Sequence, residues 1–121
     1  MTNARSRPED VLPLTPAVLH ILLALVDGPR HGYGIMQEVA TMTDRRMTMG
    51  PGTLYGSIKR MLASELIEET DERPDPELDD ERRRYYRLTR FGQRVIEAEM
   101  YRLANLVRVA QAKRLRGSVG W

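Results

Sequence analysis

A mainly α fold with a small β-hairpin is predicted for this chain by three observations. A helix entry at Met49-Gly50-Pro51 leads to Leu54, Ile58, Met61 and Leu62 at i, i+4, i+7 and i+8, an apolar stripe on a 3.6-residue period. Two short strand-like runs, 66–71 and 82–89, flank a proline- and acid-rich loop. A last stretch places Ile96, Met100, Leu103, Val107 and Ala110 in steps of 4, 3, 4 and 3, a short heptad seam. In chain order the elements are helix, helix, helix, hairpin and long helix. That is a winged helix-turn-helix with an appended C-terminal dimerisation helix.

A chain of 121 residues makes one domain with a modest core. Its net charge is only +2, but ten of the 17 acids lie between Glu65 and Glu81, which leaves the flanking segments basic. That asymmetry points to a polyanion partner. Without cysteine there is no disulfide frame, thiolate nucleophile or thiolate metal site, in keeping with a reducing cytoplasm. Residues 1–10 carry no apolar signal region, and the longest apolar run, 16–26, contains His20 and is too short to span a bilayer. An enzyme is not expected. There are two histidines and no phosphate loop, since Gly50-Pro51-Gly52 lacks the Gly-x-x-x-x-Gly-Lys-Ser/Thr spacing. Asp71, Asp75, Glu77, Asp79 and Asp80 miss the spacing and central glycine of a calcium loop, so no metal or other cofactor is expected.

Residues 1–13, with Arg5, Arg7, Pro8 and Pro13, read as a flexible N-terminal arm. Thr15-Pro16 is an N-cap followed by proline at the first helical position. Leu14, Ala17, Val18, Ile21, Leu22, Leu25 and Val26 give that helix a wide buried face, and Asp27-Gly28-Pro29 stops it. His20 on it reads as a core-edge or interface histidine. His31-Gly32-Tyr33-Gly34 opens a second helix that runs through Ile35, Met36, Val39 and Ala40. Tyr33 either packs inward or sets its hydroxyl on a phosphate. Residues 45–49 are a connector or edge strand that carries Arg45 and Arg46 past a duplex backbone.

The helix after Pro51 has two unlike faces. Opposite the apolar stripe stand Thr53, Ser57, Lys59 and Arg60, with Tyr55 and Gly56 beside them. Glycine inside a helix costs roughly 1 kcal/mol relative to alanine, so close approach of a phosphate or base edge is expected at Gly56. The plainer reading is a solvated surface helix. Residues 14–89 are thus assigned to a winged DNA-binding domain, 90–116 to the dimerisation helix capped by Thr89, and 117–121 to a tail. The seam Ile96, Met100, Leu103, Leu106, Val107 and Ala110 either folds back on the first helix or meets a twin subunit, and it is assigned to the twin, because so long an apolar face is too large a patch to leave wet.

Five blocks, in order, resemble the PadR family of bacterial transcriptional regulators: Leu14-Thr15-Pro16 with Ile21-Leu22, His31-Gly32-Tyr33-Gly34-Ile35, Met49-Gly50-Pro51-Gly52-Thr53-Leu54-Tyr55, Leu66-Ile67, and Arg84-Tyr85-Tyr86-Arg87-Leu88-Thr89 with Gly92. The likeness spans roughly residues 14–95, and the single rather short last helix is similar to the compact subfamily. It implies a homodimer on double-stranded DNA with a roughly palindromic operator, usually a repressor, released by a small-molecule effector or by its loss. Carried over by position, Thr53, Tyr55, Ser57, Lys59 and Arg60 lie on the recognition helix. Tyr33 faces the backbone, and Arg82, Arg83 and Arg84 flank the wing. An effector cleft between the first helix and the partner's last helix would be lined by Leu22, Leu103 and Val107, residues explained equally well as plain interface core. Two departures stand out. Glu65 replaces the glycine usual before Leu66-Ile67, which leaves the helix exit open, and the wing loop is unusually acidic. The alternative reading is a winged-helix module that binds protein without specific DNA binding; salt-sensitive duplex binding discriminates the two.

Overall fold

Thr15 and Pro16 begin the first helix as their residue types dictate. In the computed structural model, which describes residues 7–73 and 83–115, the Thr15 hydroxyl accepts from the Val18 N–H at 3.3 Å and helix α1 covers Pro16–Ala24. Ile21, Leu22 and Ala24 are wholly buried, whereas Val26, past the helix end, is exposed. Strand β1 (Arg30–His31) follows, then α2 (Gly32–Met42), α3 (Pro51–Ala63), β2 (Ile67–Thr70), β3 (Tyr85–Leu88) and α4 (Arg90–Ala112). The helices pack around Ile21, Leu22, Ile35, Val39, Leu54 and Ile58, and the sheet adds Ile67 and Tyr86 to that core. No helix of the described residues is long and apolar enough to cross a membrane.

The expected two-stranded hairpin is a three-stranded antiparallel sheet in the order β1-β3-β2. Arg30 pairs with Tyr86 and His31 with Tyr85 on one side of β3, and Ile67 pairs with Leu88 on the other. Two residues are too few to show a period, so β1 escapes sequence reading. Residues 45–49 form no strand. Instead Asp44 and Arg45 turn left-handed behind α2, and the Arg45 N–H donates to the Ala40 carbonyl at 2.7 Å. Consecutive Tyr85 and Tyr86 are both buried although they point to opposite faces. Tyr86 enters the core. Tyr85 is covered by the His31 ring, edge-on at 5.2 Å, and by the Arg73 guanidinium 4.8 Å above its centroid.

Behind α3 the chain turns through a left-handed Glu65, φ +63°. The Glu65 N–H donates to the Leu62 carbonyl (3.1 Å) and the Leu66 N–H to that of Met61 (2.9 Å), the paired bonds of a Schellman exit. The glutamate therefore keeps the usual exit and strains it. Left-handed backbone costs an L-residue roughly 1 kcal/mol. Glu65→Gly is accordingly expected to raise unfolding free energy by about 1 kcal/mol, read as a higher urea midpoint at unchanged slope. A lowered midpoint would mean that the side chain does more for the turn than the strain takes away.

The described part of the expected N-terminal arm is ordered. Pro8–Val11 form a 3-10 helix with Pro8 buried, and it packs against α4. The physical tie is Glu99, an acid only 1 % exposed on α4. Its Oε2 accepts from the Leu14 N–H at 3.0 Å, and its two oxygens accept from Arg102 at 2.6 and 3.1 Å. The Arg102 guanidinium, helped by the Leu14 N–H and opposed by burial, holds the Glu99 carboxyl below the ordinary 4.5. A depressed carboxyl stabilises the fold above its unfolded pKa, and that contribution is lost as pH falls through the folded value. Wild type is thus expected to exceed Glu99→Gln by about 1–2 kcal/mol at neutral pH, with the gap closing as pH falls below the ordinary carboxylate range. A gap independent of pH in parallel melts would contradict the ionised pair.

The end of α4 also differs from expectation, falling at Ala112 rather than 116, with Lys113 as cap. Ile96 is only 2 % exposed and belongs to the chain's own core, so it leaves the twin-subunit seam; Met100 packs partly against the same core. The stripe on α4 is continuous, and its proximal half is consumed internally.

Candidate nucleic-acid interface

Leu54, Ile58 and Met61 sink one side of α3 into the core, and the helical period then fixes what the opposite side shows. Gly52 and Gly56 occupy the middle of the outward arc. Tyr55 and Lys59 stand on one flank, Thr53 and Arg60 on the other, and all four are exposed. A Cβ on Gly52 would meet nothing, and one on Gly56 would meet only the Arg60 guanidinium at 3.6 Å. Among the described residues no packing accounts for a glycine at position 56, and its bare backbone lies on the outward arc.

Ser57 does not belong to that surface. It is 0 % exposed, and its Oγ accepts from Arg60 Nη2 at 3.3 Å. On the wheel it falls beside Met61, inside the apolar arc; its polar type hid an inward position. Its contribution is to draw Arg60 back along α3.

Tyr33, at 55 % exposure, and Tyr55, at 49 %, both stand at the start of α2. Gly32 makes this possible, because a Cβ there would come within 2.7 Å of Tyr55 Cζ and nearer still to its hydroxyl. Both tyrosines line a hollow of about 290 Å³ together with His31, Arg83, Arg84 and Tyr86. His31 caps α2 by accepting from the Gly34 N–H at 3.0 Å, and Arg83 approaches its other nitrogen at 2.8 Å. Arg73 braces the wing base by donating to the Arg83 carbonyl at 2.9 Å. Arg84 lies 3.6 Å from Glu69 in an exposed pair, a weak restraint that leaves its charge available. Arg82 and the acidic wing tip lie outside the described residues. His31 and Tyr86 carry no functional signal in the sequence; they join the hollow because β1 pairs with β3.

The other expected surface is the distal part of α4. Leu106 and Val107 are 52 % and 44 % exposed, with Val109 also outward and Leu103 and Ala110 half-buried. Leu22, expected to line an effector cleft, is wholly buried and cannot. His20 is half-buried, with Nδ1 2.6 Å from the Pro16 carbonyl oxygen, which marks the ring proton on that nitrogen.

Residues 19–98 match the Transcriptional regulator PadR-like family. A protein described as an uncharacterized 37.1 kDa protein in transposon TN4556 of Streptomyces fradiae is 34 % identical over 90 residues; the match covers 74 % of this chain and only 24 % of the relative, so the chain spans about a quarter of its length. Among solved structures, a PadR family transcription regulator from hypervirulent Clostridium difficile superposes with a TM-score of 0.65 at 25 % identity, covering 81 % of this chain and 97 % of that one. A transcriptional regulator from Clostridium thermocellum gives 0.64 at 23 % identity, over 79 % and 87 %. With a helix-turn-helix that turns a basic, glycine-bared face outward beside a three-stranded wing, the chain belongs to the PadR-like family of transcriptional regulators.

Proposed function

We propose that this regulator is a cytoplasmic homodimeric repressor of a roughly palindromic operator, relieved by a small-molecule effector. The outward arc of α3 carries the reading: two flanks of cations and hydroxyls around a bare glycine backbone fit a major groove, with phosphates at the edges and bases in the middle. Two copies joined through Leu103, Leu106, Val107 and Ala110 would hold their α3 helices about 34 Å apart, one turn of duplex, which makes the operator mirror the dimer. Repression follows from occupancy of a promoter-proximal site. An effector has an apolar groove of about 630 Å³ beside Leu12, Pro13, Ala98 and Tyr101, where the N-terminal segment meets α4.

Binding is expected to weaken steeply with salt as phosphates are neutralised. Lys59→Ala should weaken all duplexes alike and lower the log–log salt slope by about one. A titration that returns the wild-type slope removes Lys59 from the phosphate contacts. Salt-indifferent, negligible duplex binding by the wild type would favour the protein-interaction module instead.

A further inference from the structure

We propose that Gly32 is a positioning residue for operator reading: by lacking a side chain it seats the Tyr55 ring on the start of α2. This rests on the DNA-binding reading of α3 and deepens it, by naming what aims one flank of that helix at the duplex.

Gly32 is the first residue of α2 and is buried. Its backbone does not call for glycine, because among the described glycines the left-handed one is Gly28. Room is the physical reason. A Cβ on Gly32 would stand 2.7 Å from Tyr55 Cζ and 2.9 Å from its Cε1, with the hydroxyl nearer still. The other glycines of α2 and α3 set no such limit. A Cβ on Gly34 would meet the His31 ring at 3.4 Å, one on Gly56 would meet Arg60 at 3.6 Å, and one on Gly52 would meet nothing within 4 Å. A buried position on α2 thus yields its side chain to a half-exposed tyrosine on α3.

The atoms in the way are the far end of a side chain and not backbone. Gly32→Ala would therefore be met by rotation of Tyr55 with the fold kept, unlike a methyl group at Gly92, which meets the Leu66 carbonyl. A tyrosine on a helix has in practice two χ1 wells, so a ring that loses its seat moves to another part of the surface. Helical side chains lean over the preceding turn, which for Tyr55 holds the bare Gly52. The seat on Gly32 keeps the ring beside that glycine without covering it. On the opposite flank Arg60 is also held aside, with Nη2 3.3 Å from Ser57 Oγ. Flanks already in place lose less side-chain freedom when a duplex docks, which favours both affinity and sequence preference.

The test titrates full-length wild type, Gly32→Ala, Tyr55→Ala and the double variant. The probes are the duplex that wild type selects from a random pool and its single base-pair substitutions. Gly32→Ala is expected to weaken binding to the selected duplex about tenfold and to relax the preference at one base-pair position. Neither residue is charged, so the salt slope stays at the wild-type value. In the double variant, Gly32→Ala is expected to add nothing to the loss caused by Tyr55→Ala. Wild-type affinity in Gly32→Ala overturns the positioning role. A loss of equal size with and without the Tyr55 ring overturns it too, since the effect then lies in α2 itself. If Gly32→Ala does not melt cooperatively, nuclear Overhauser contacts in the wild type decide. Contacts between the Tyr55 ring and the Gly32 α protons in both free and duplex-bound protein support the seat; a ring that leaves Gly32 on binding overturns it. Wild type that selects and binds no duplex overturns the DNA reading itself, whereas duplex binding with a Tyr55-independent Gly32 effect overturns the seat alone.

Discussion

Gly92→Ala is expected to cost about 3–5 kcal/mol and to lower the melting temperature by roughly 10–20 °C. A Cβ at this position would overlap the Leu66 carbonyl oxygen and stand 2.9 Å from its carbon. Neither atom can move cheaply. The same carbonyl accepts from the Thr89 N–H at 3.1 Å and from the Thr89 hydroxyl at 3.2 Å, and that hydroxyl caps α4 by accepting from the Gly92 N–H at 2.9 Å. Glycine 92 is therefore the point at which the long helix is pressed onto the exit from α3. To admit a methyl group, α4 must slide and the cap must open. With a total stability of order 5–15 kcal/mol, that is a large share. A variant melting within about 2 °C of wild type would show that the two segments stand further apart than described.

Leu106→Asp is expected to yield monomers by sedimentation and to cut operator affinity at least about a hundredfold, with the far-ultraviolet helix signal largely kept. The side chain is half-exposed, so the charge leaves the chain's own core intact. Across a twofold seam it would face its own copy, two carboxylates deprived of water. Loss of the tether between half-sites removes the effective-concentration gain, which is of order 10²–10⁴. An unaltered sedimentation coefficient would move the interface off this face of α4.

Elements with chemical punctuation were legible in the sequence. Thr15-Pro16, Gly50-Pro51 and Thr89 mark helix starts through caps and ring geometry, and all three helices begin there. The long stripe on α4 was legible too, but not where its use changes: one period serves the internal core as far as Ile96 and the open surface by Leu106. Periodicity reports apolar contact without saying which chain supplies it. Ser57 and Glu99 show the converse. Both sit on buried arcs that their spacing reveals, and both were hidden by polar type; Arg102, three residues after Glu99, was the available signal of a paired acid. The basic hollow depends on β1, whose two residues place His31 against Arg83 across the sheet, 52 positions apart.

The open half of the α4 stripe bears on how such a regulator counts its own copies. If reading the operator needs two chains, then below the pairing constant occupancy climbs with the square of chain number, and halving expression removes about three quarters of it. A promoter under this control would switch over a narrower range of supply than a lone reader allows.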